Sequence, residues 1–464
     1  MRMTLRQIAA AMQAALPVCE AEGRTPAAIS TDSRTAAAGT LFFCIPGERF
    51  DGHDFLADVA AKGALAAVVE RDIPNAPLPL LRVEAVVPAL GRLALAHRCQ
   101  YRGKVVGVTG SAGKTTVKEL LAHLLEGLGP VAKNHKNLNN HIGLPSSMLA
   151  ATGEEAFWIM ETGVNFVGDM DSLAAMLEPD LVVAVNAGAA HLEGLHDVPT
   201  VAREKCKLVR ALREGGVAVA NADSPELRQA IAETGRPAVW FSTESATAAC
   251  RCEFVSLTET GGRFVLSLHG ETVEVDTAFA APFLAQSLAA AAAAAHALGA
   301  PLDLIAERLT TAGLPEQRFH VQRAGRWILI DDSYNANPLS MTAALDAARA
   351  MAGQGALVLV LGEMRELGEV ARAAHEALGA QAAGLAPAAV FWTGGQREAV
   401  AAGLARAGET DSLRELAAPE AFVHSLNELF ARQGDDVVVV FKGSRANRLE
   451  RYVTALRDAA EGAC

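Results

Sequence analysis

The spacing of apolar and polar positions changes character several times along the chain. In the first hundred residues Thr40–Ile45, Ala66–Val69 and Leu80–Val83 predict short strands with helices between them. From Lys104 a β-branched run, Val105, Val106 and Val108, predicts a buried strand. Val117, Leu120, Leu121, Leu124, Leu125 and Leu128 then recur at helical spacing. They predict one amphipathic helix that begins at Lys114 and is stopped by Gly129-Pro130. Strands ending at Glu161, Asn186 and Asn221–Asp223 follow, with a helix over 201–212, which is the alternation of a mainly parallel sheet. Between Cys252 and Asp276 the period drops to two, with Gly261-Gly262 as a turn, which predicts an antiparallel meander. A very Ala-rich helix spans 285–298. After a break near Gly313-Leu-Pro315, strands at 327–330, 356–361, 389–392 and 437–441 alternate with helices.

These shifts predict an α/β protein of three domains: 1–103, a small α/β unit; 104–313, a parallel sheet with an attached meander; and 314–464, Rossmann-like but without a G-x-G-x-x-G turn. The length of 464 residues agrees with about three domains. A net charge of −12 argues against a nucleic-acid surface. The seven cysteines are scattered, show no C-x-x-C pair and suggest neither a disulfide frame nor a zinc site. The N-terminus lacks a signal peptide's apolar core, and no uncharged run reaches the length of a membrane span, so the cytoplasm is the expected location.

The chemistry begins between the strand at 105–108 and the helix at Lys114. Gly110, Ser111, Ala112, Gly113, Lys114, Thr115 and Thr116 form a glycine-rich turn at a helix N-terminus, the composition of a phosphate cradle. Lys114 offers a mobile charge and Thr115 a hydroxyl for Mg²⁺. The general pattern asks for a glycine where this chain has Val108. Ligands of parallel sheets lie beyond the carboxyl ends of the strands. Glu161 and His191 therefore fall on the same edge as the turn, as a candidate Mg²⁺ pair or as a helix cap and a satisfied loop histidine. Lys205, in Ala202–Leu208, reads as solvated surface. Arg318, at the second domain junction, is placed to reach across to a phosphate. The run Asp331–Pro338 is either a ligand-binding turn or a capped entry to the next helix. A nucleotide site shared by two domains implies closure on binding.

Taken together, Thr109–Thr116, Glu161, Asn186–Gly194, Lys205, Arg318, Asp332–Pro338 and Lys442–Arg445 resemble the Mur ligase family over nearly the whole chain. Asn137–Gly143 and Asp332–Asn337 are most similar to the branch that adds D-alanyl-D-alanine to a UDP-N-acetylmuramoyl-tripeptide. The Asp-Asn-Pro-Arg motif of the diaminopimelate-adding branch is absent. The resemblance implies ATP and Mg²⁺ as cofactors, and a ligase reaction in which ATP phosphorylates the tripeptide carboxylate and the amine of the dipeptide displaces phosphate. It implies ATP contacts from Gly110–Thr116, Arg318 and Asp332, with Lys114, His191, Lys205, Arg318 and Asp332 in catalysis. Its metal set is Thr115, Glu161, His191 and a carbamylated Lys205, which reverses the surface reading of that lysine. The substrates fall to Ser33, Arg34, Arg49 and Phe50 on the UDP side, and to Asn137, Asn139, Asn140, Tyr334, Asn335 and Asn337. A monomer is expected.

Two departures from the family stand out. Ala281–Ser287 replaces the family's adenine-associated Gly-x-His-Asn-x-x-Asn, and Lys207 stands where an acidic residue is common, close enough to Lys205 to alter its charge balance. A folylpolyglutamate synthase-like ligase lacks a counterpart of the first domain. A GTPase-type switch needs an Asn-Lys-x-Asp motif, which this chain does not contain.

Overall fold

A computed structural model describes residues 3–16, 19–409, 412–431 and 436–462. Met1 and Arg2 at the N-terminus, and Cys464 among the seven cysteines, lie outside the described residues. The first sheet is β1 (Ala28–Ser30), β2 (Thr40–Phe43), β3 (Ala66–Val69) and β4 (Leu80–Arg82), all parallel and in sequence order. A helix joins β2 to β3. None joins β3 to β4, contrary to expectation, because Pro74, Pro77 and Pro79 withhold backbone donors from that connection.

The second sheet contains β5 (Lys104–Thr109), β6 (Val131–Lys133), β7 (Phe157–Glu161), β8 (Leu181–Ala184), β9 (Val217–Asn221), β10 (Ala238–Ser242), β11 (Cys250–Leu257), β12 (Gly262–Leu268) and β13 (Glu271–Thr277). Their order is β13-β12-β11-β10-β9-β8-β5-β7-β6. The strands from β6 to β11 pair in parallel, and β11, β12 and β13 form the antiparallel meander at one end. Beside β5 the helix Lys114–Leu125 buries Val117, Leu120, Leu121, Leu124 and Leu125. It ends earlier than predicted, and Leu128 lies in the following turn at 40% exposure. The Ala-rich helix Leu284–Ala297 packs on this helix, with Ala289 to Ala295 at most 2% exposed. Such small side chains let two helix backbones approach closely.

The third sheet is β14 (His320–Ala324), β15 (Trp327–Asp332), β16 (Ala356–Gly362), β17 (Ala389–Thr393), β18 (Leu413–Glu415) and β19 (Val437–Lys442), in the order β14-β15-β19-β16-β17-β18. Only β14 is antiparallel to its neighbour. β19, Val-Val-Val-Val-Phe-Lys, is buried at every position because neighbours flank it and both faces are covered. The continuous apolar run is what such a central strand requires.

Candidate active site

The carboxyl ends of the second and third sheets face each other across a cleft of about 1040 Å³. On one wall, β5 delivers the chain into Gly110–Gly113. A Cβ on Gly110 would lie 3.0 Å from Val185 Cβ, and Gly113 turns with φ +77°, so both positions favour glycine. The Asn186 carboxamide holds the turn: its Oδ1 accepts from the N–H groups of Ser111 (3.0 Å) and Ala112 (2.9 Å). Gln286 Oε1 in turn accepts from Asn186 Nδ2 at 2.9 Å. Among the described residues, the N–H groups of Gly113, Lys114, Thr115 and Thr116 have no backbone acceptor and no side-chain cap. Four unsatisfied donors at a helix start form an anion site. Lys114 Nζ rests on the Gly110 carbonyl at 2.8 Å, and burial pulls its pKa down against the nearby Glu161.

Parallel pairing of β5 with β7 sets Val108 opposite Glu161, which carries the Glu161 carboxylate to the start of the helix. Val108, where the general pattern has glycine, is buried strand rather than turn. Thr115 Oγ1 donates to Glu161 Oε2 (2.8 Å), and Asn139 Nδ2 donates to Oε1 (2.7 Å). Lys205, on the helix Val198–Arg210, is 1% exposed, and its Nζ has no hydrogen-bond partner. The surface reading is therefore wrong. Burial first, and Lys114 second, push its amine down to about 7. Lys207 does not oppose it, because Asp171 and Glu204 take the Lys207 ammonium at 2.7 Å each.

The other wall comes from the third sheet. Adjacent strands place Asp332 level with Lys442, and the two form a buried ion pair. The Phe319 N–H also donates to Asp332, at 3.1 Å. Arg318 lies over the Tyr334 ring, 4.0 Å from its centroid, and reaches across to Thr115 Oγ1 at 3.2 Å. Asn337 caps the helix Pro338–Ala352, and its Nδ2 donates to the Ser111 carbonyl at 3.2 Å. The run Asp331–Pro338 is thus a capped entry to the next helix, and the same turn lines the cleft. His191, in a left-handed conformation (φ 56°), bonds through Nδ1 to Glu366 from the third domain.

Asn137, Asn139, Asn140, Tyr334, Asn335 and Asn337 all line this cleft, while Gly110 and Lys205 are not among its lining residues. Ser33, Arg34, Arg49 and Phe50 do not reach it. They occupy loops after β1 and β2, where Arg34 pairs with Asp32 and holds that carboxyl down to about 2, and Phe50 is 73% exposed. The sequence reading left out Gln286 as the brace of Asn186, and Glu366 as the partner of His191. Gln286 sits in the departing stretch 281–287 and could have been singled out there; Glu366 lies in an unremarkable polar loop and gave no signal. Among the described residues, no three His, Cys, Asp or Glu side chains gather into a metal-holding group.

Family models match in chain order: the Mur ligase family catalytic domain over residues 26–98, the Mur ligase middle domain over 108–295, and the Mur ligase glutamate ligase domain over 317–445. UDP-N-acetylmuramoyl-tripeptide–D-alanyl-D-alanine ligase of Escherichia coli is 35% identical over 94% of each chain. The chain belongs to the Mur ligase family. The Bacillus subtilis ligase of the same name is 30% identical over 98% of each chain. Among solved Mur ligases, MurF from Acinetobacter baumannii superposes with a TM-score of 0.89 at 30% identity, covering 98% of both chains. MurF ligase from Thermotoga maritima, solved in complex with ADP, gives 0.84 at 27% identity over 94% of this chain and 98% of that one. This Mur ligase thus shares its three-domain α/β architecture with relatives over nearly its full length. No helix among its described residues is long and apolar enough to cross a membrane.

Proposed function

We propose that this protein joins D-alanyl-D-alanine to the terminal carboxylate of UDP-N-acetylmuramoyl-tripeptide at the expense of ATP, in cytoplasmic peptidoglycan precursor synthesis. The observation that carries the reading is the cleft itself. It opposes a helix start with four free N–H donors to an arginine and a buried Asp–Lys pair from another domain. The full-length likeness to ligases bearing that name selects the substrates.

In this mechanism Gly113–Thr116 and Lys114 bind the ATP phosphates, and Lys114 leaves the Gly110 carbonyl to do so. The tripeptide carboxylate attacks the γ-phosphorus, ADP leaves, and an acyl phosphate forms. Arg318 spreads positive charge over the transferred group, and Asp332, fixed by Lys442, holds the nucleotide from the third domain. The dipeptide amine then attacks the acyl carbon, loses a proton, and phosphate departs with the former carboxylate oxygen. Tyr334, Asn335 and Asn337 face the acceptor side, and Asn137, Asn139 and Asn140 the tripeptide side. The loops carrying Ser33, Arg34, Arg49 and Phe50 hold the UDP end outside the cleft.

Thr115, Glu161 and His191 suit a Mg²⁺ ion that takes few protein ligands and otherwise phosphate and water, and that ion would neutralise phosphate charge. Lys205 fits the same set. An orphaned neutral amine can take up CO₂, releasing a proton and becoming a carbamate whose two oxygens share one negative charge, so an amine without a partner becomes a ligand. The protein is proposed to act as a monomer.

Purified protein with ATP, Mg²⁺ and UDP-N-acetylmuramoyl-tripeptide should release phosphate steadily only when D-alanyl-D-alanine is also present. Phosphate release indifferent to the dipeptide overturns the reading.

A further inference from the structure

Glu161 is gripped at its backbone as well as at its carboxylate. β6 ends at Lys133 while its partner β7 continues to Glu161, so the main-chain ladder stops before Glu161 is reached. The Asn134 side chain fills the gap. Its Oδ1 accepts from the Glu161 N–H and its Nδ2 donates to the Glu161 carbonyl, both at 2.9 Å. A carboxamide is a peptide group in miniature, and here it stands in for one more strand residue. The same Nδ2 donates to the Leu138 carbonyl at 2.8 Å, which curls the loop so that Asn139 meets Glu161 Oε1. Gly163 closes the arrangement: its N–H donates to the Asn139 carbonyl (2.9 Å), and a Cβ there would lie 2.8 Å from the Asn139 carboxamide.

Asn134 is itself braced. Lys118, 0% exposed like Asn134, donates from Nζ to the Asn134 carbonyl at 2.6 Å and pairs with Glu119 at 3.1 Å. Lys118 lies one helical turn after Thr115. The helix that starts at the phosphate turn therefore holds Glu161 twice, directly through Thr115 and indirectly through Lys118 and Asn134. A buried lysine is costly unless paired, and this one is used to fix a main-chain carbonyl.

We infer that Asn134, braced by Lys118, is a positioning residue that sets the Glu161 carboxylate against the phosphate turn and couples it to the Asn137–Asn140 loop. The inference rests on the ligase reading, in which Glu161 helps to hold Mg²⁺. Groups that orient a metal ligand typically change metal affinity about tenfold to hundredfold when removed.

The test is Mn²⁺ binding, followed by electron paramagnetic resonance, to the full-length protein with a non-hydrolysable ATP analogue. Asn134→Leu removes both bonds to Glu161, while Asn134→Asp keeps the acceptor for its N–H and loses the donor to its carbonyl. The Mn²⁺ dissociation constant should rise at least about tenfold in Asn134→Leu, and by less in Asn134→Asp. Nucleotide affinity in EDTA should stay within about twofold of wild type. If Asn134→Leu does not fold, Asn134→Asp decides. A merely structural role would lower the melting temperature and leave the Mn²⁺ constant of folded protein unchanged, and that result overturns the inference while the ligase reading stands. Wild-type protein that binds no Mn²⁺ with the analogue overturns both.

Discussion

At the scale of single residues, Lys205 carries the most chemical information. A lysine with 1% exposure and no partner cannot stay charged cheaply, and burial beside Lys114 brings its amine to about 7. The neutral form is the one that reacts with CO₂, and it dominates above that value and dwindles below it. Reactivation of CO₂-stripped enzyme at a fixed concentration of dissolved CO₂ should therefore slow as pH falls below 7, approaching about tenfold per pH unit. Lys205→Ala should lose most activity and regain part of it with formate or acetate; full activity without additive would contradict the assignment. The sequence held a sign of this burial. Val201, Lys205, Leu208 and Val209 share one apolar stripe, so Lys205 falls on the inner face of its helix. Lysine's usual exposure outweighed that stripe in the sequence reading. His191 differs: its placement at a strand end was readable, but its bond to Glu366 joins loops 175 residues apart and depends on how two domains meet.

At the scale of elements, strong periodicity was legible and short edges were not. The helix from Lys114, the meander and β19 each announced themselves through regular spacing. β14 did not, because His320, Gln322 and Arg323 are ordinary residues for an antiparallel edge strand that meets solvent. β6 and β18 have three residues each, too few for a period to be recognised, and β4, equally short, was legible only through the apolar Leu80, Leu81 and Val83. The Ala-rich helix is a packing element, and the consequence can be measured. Ala291 is 0% exposed in the helix set against Lys114–Leu125. Ala291→Leu must displace the close neighbours of this fully buried position, at a cost of about 1–3 kcal/mol. Chemical denaturation should show a lower unfolding midpoint with an unchanged slope, and an unchanged midpoint would mean that the helices do not pack this closely.

At the scale of the whole molecule, function depends on two walls that belong to different domains. Arg318 to Thr115, Asn337 to Ser111 and His191 to Glu366 cross between them, so the site is completed by contacts that span 175 to 226 positions of sequence. The three-domain plan was readable because each domain has its own pattern of spacing. The seam between domains was readable only where motifs resembled a known family, since no local pattern records which surfaces meet. The same limit explains why Ser33, Arg34, Arg49 and Phe50 could be named together with the cleft residues although they lie apart from it. The central claim is that this cleft activates a peptide carboxylate as an acyl phosphate. Tripeptide substrate labelled with ¹⁸O in its terminal carboxylate tests it most directly. Mass spectrometry of the phosphate released during ligation should find one ¹⁸O per phosphate, because the leaving group keeps the former carboxylate oxygen. Unlabelled phosphate accompanying full conversion to the amide would contradict the account.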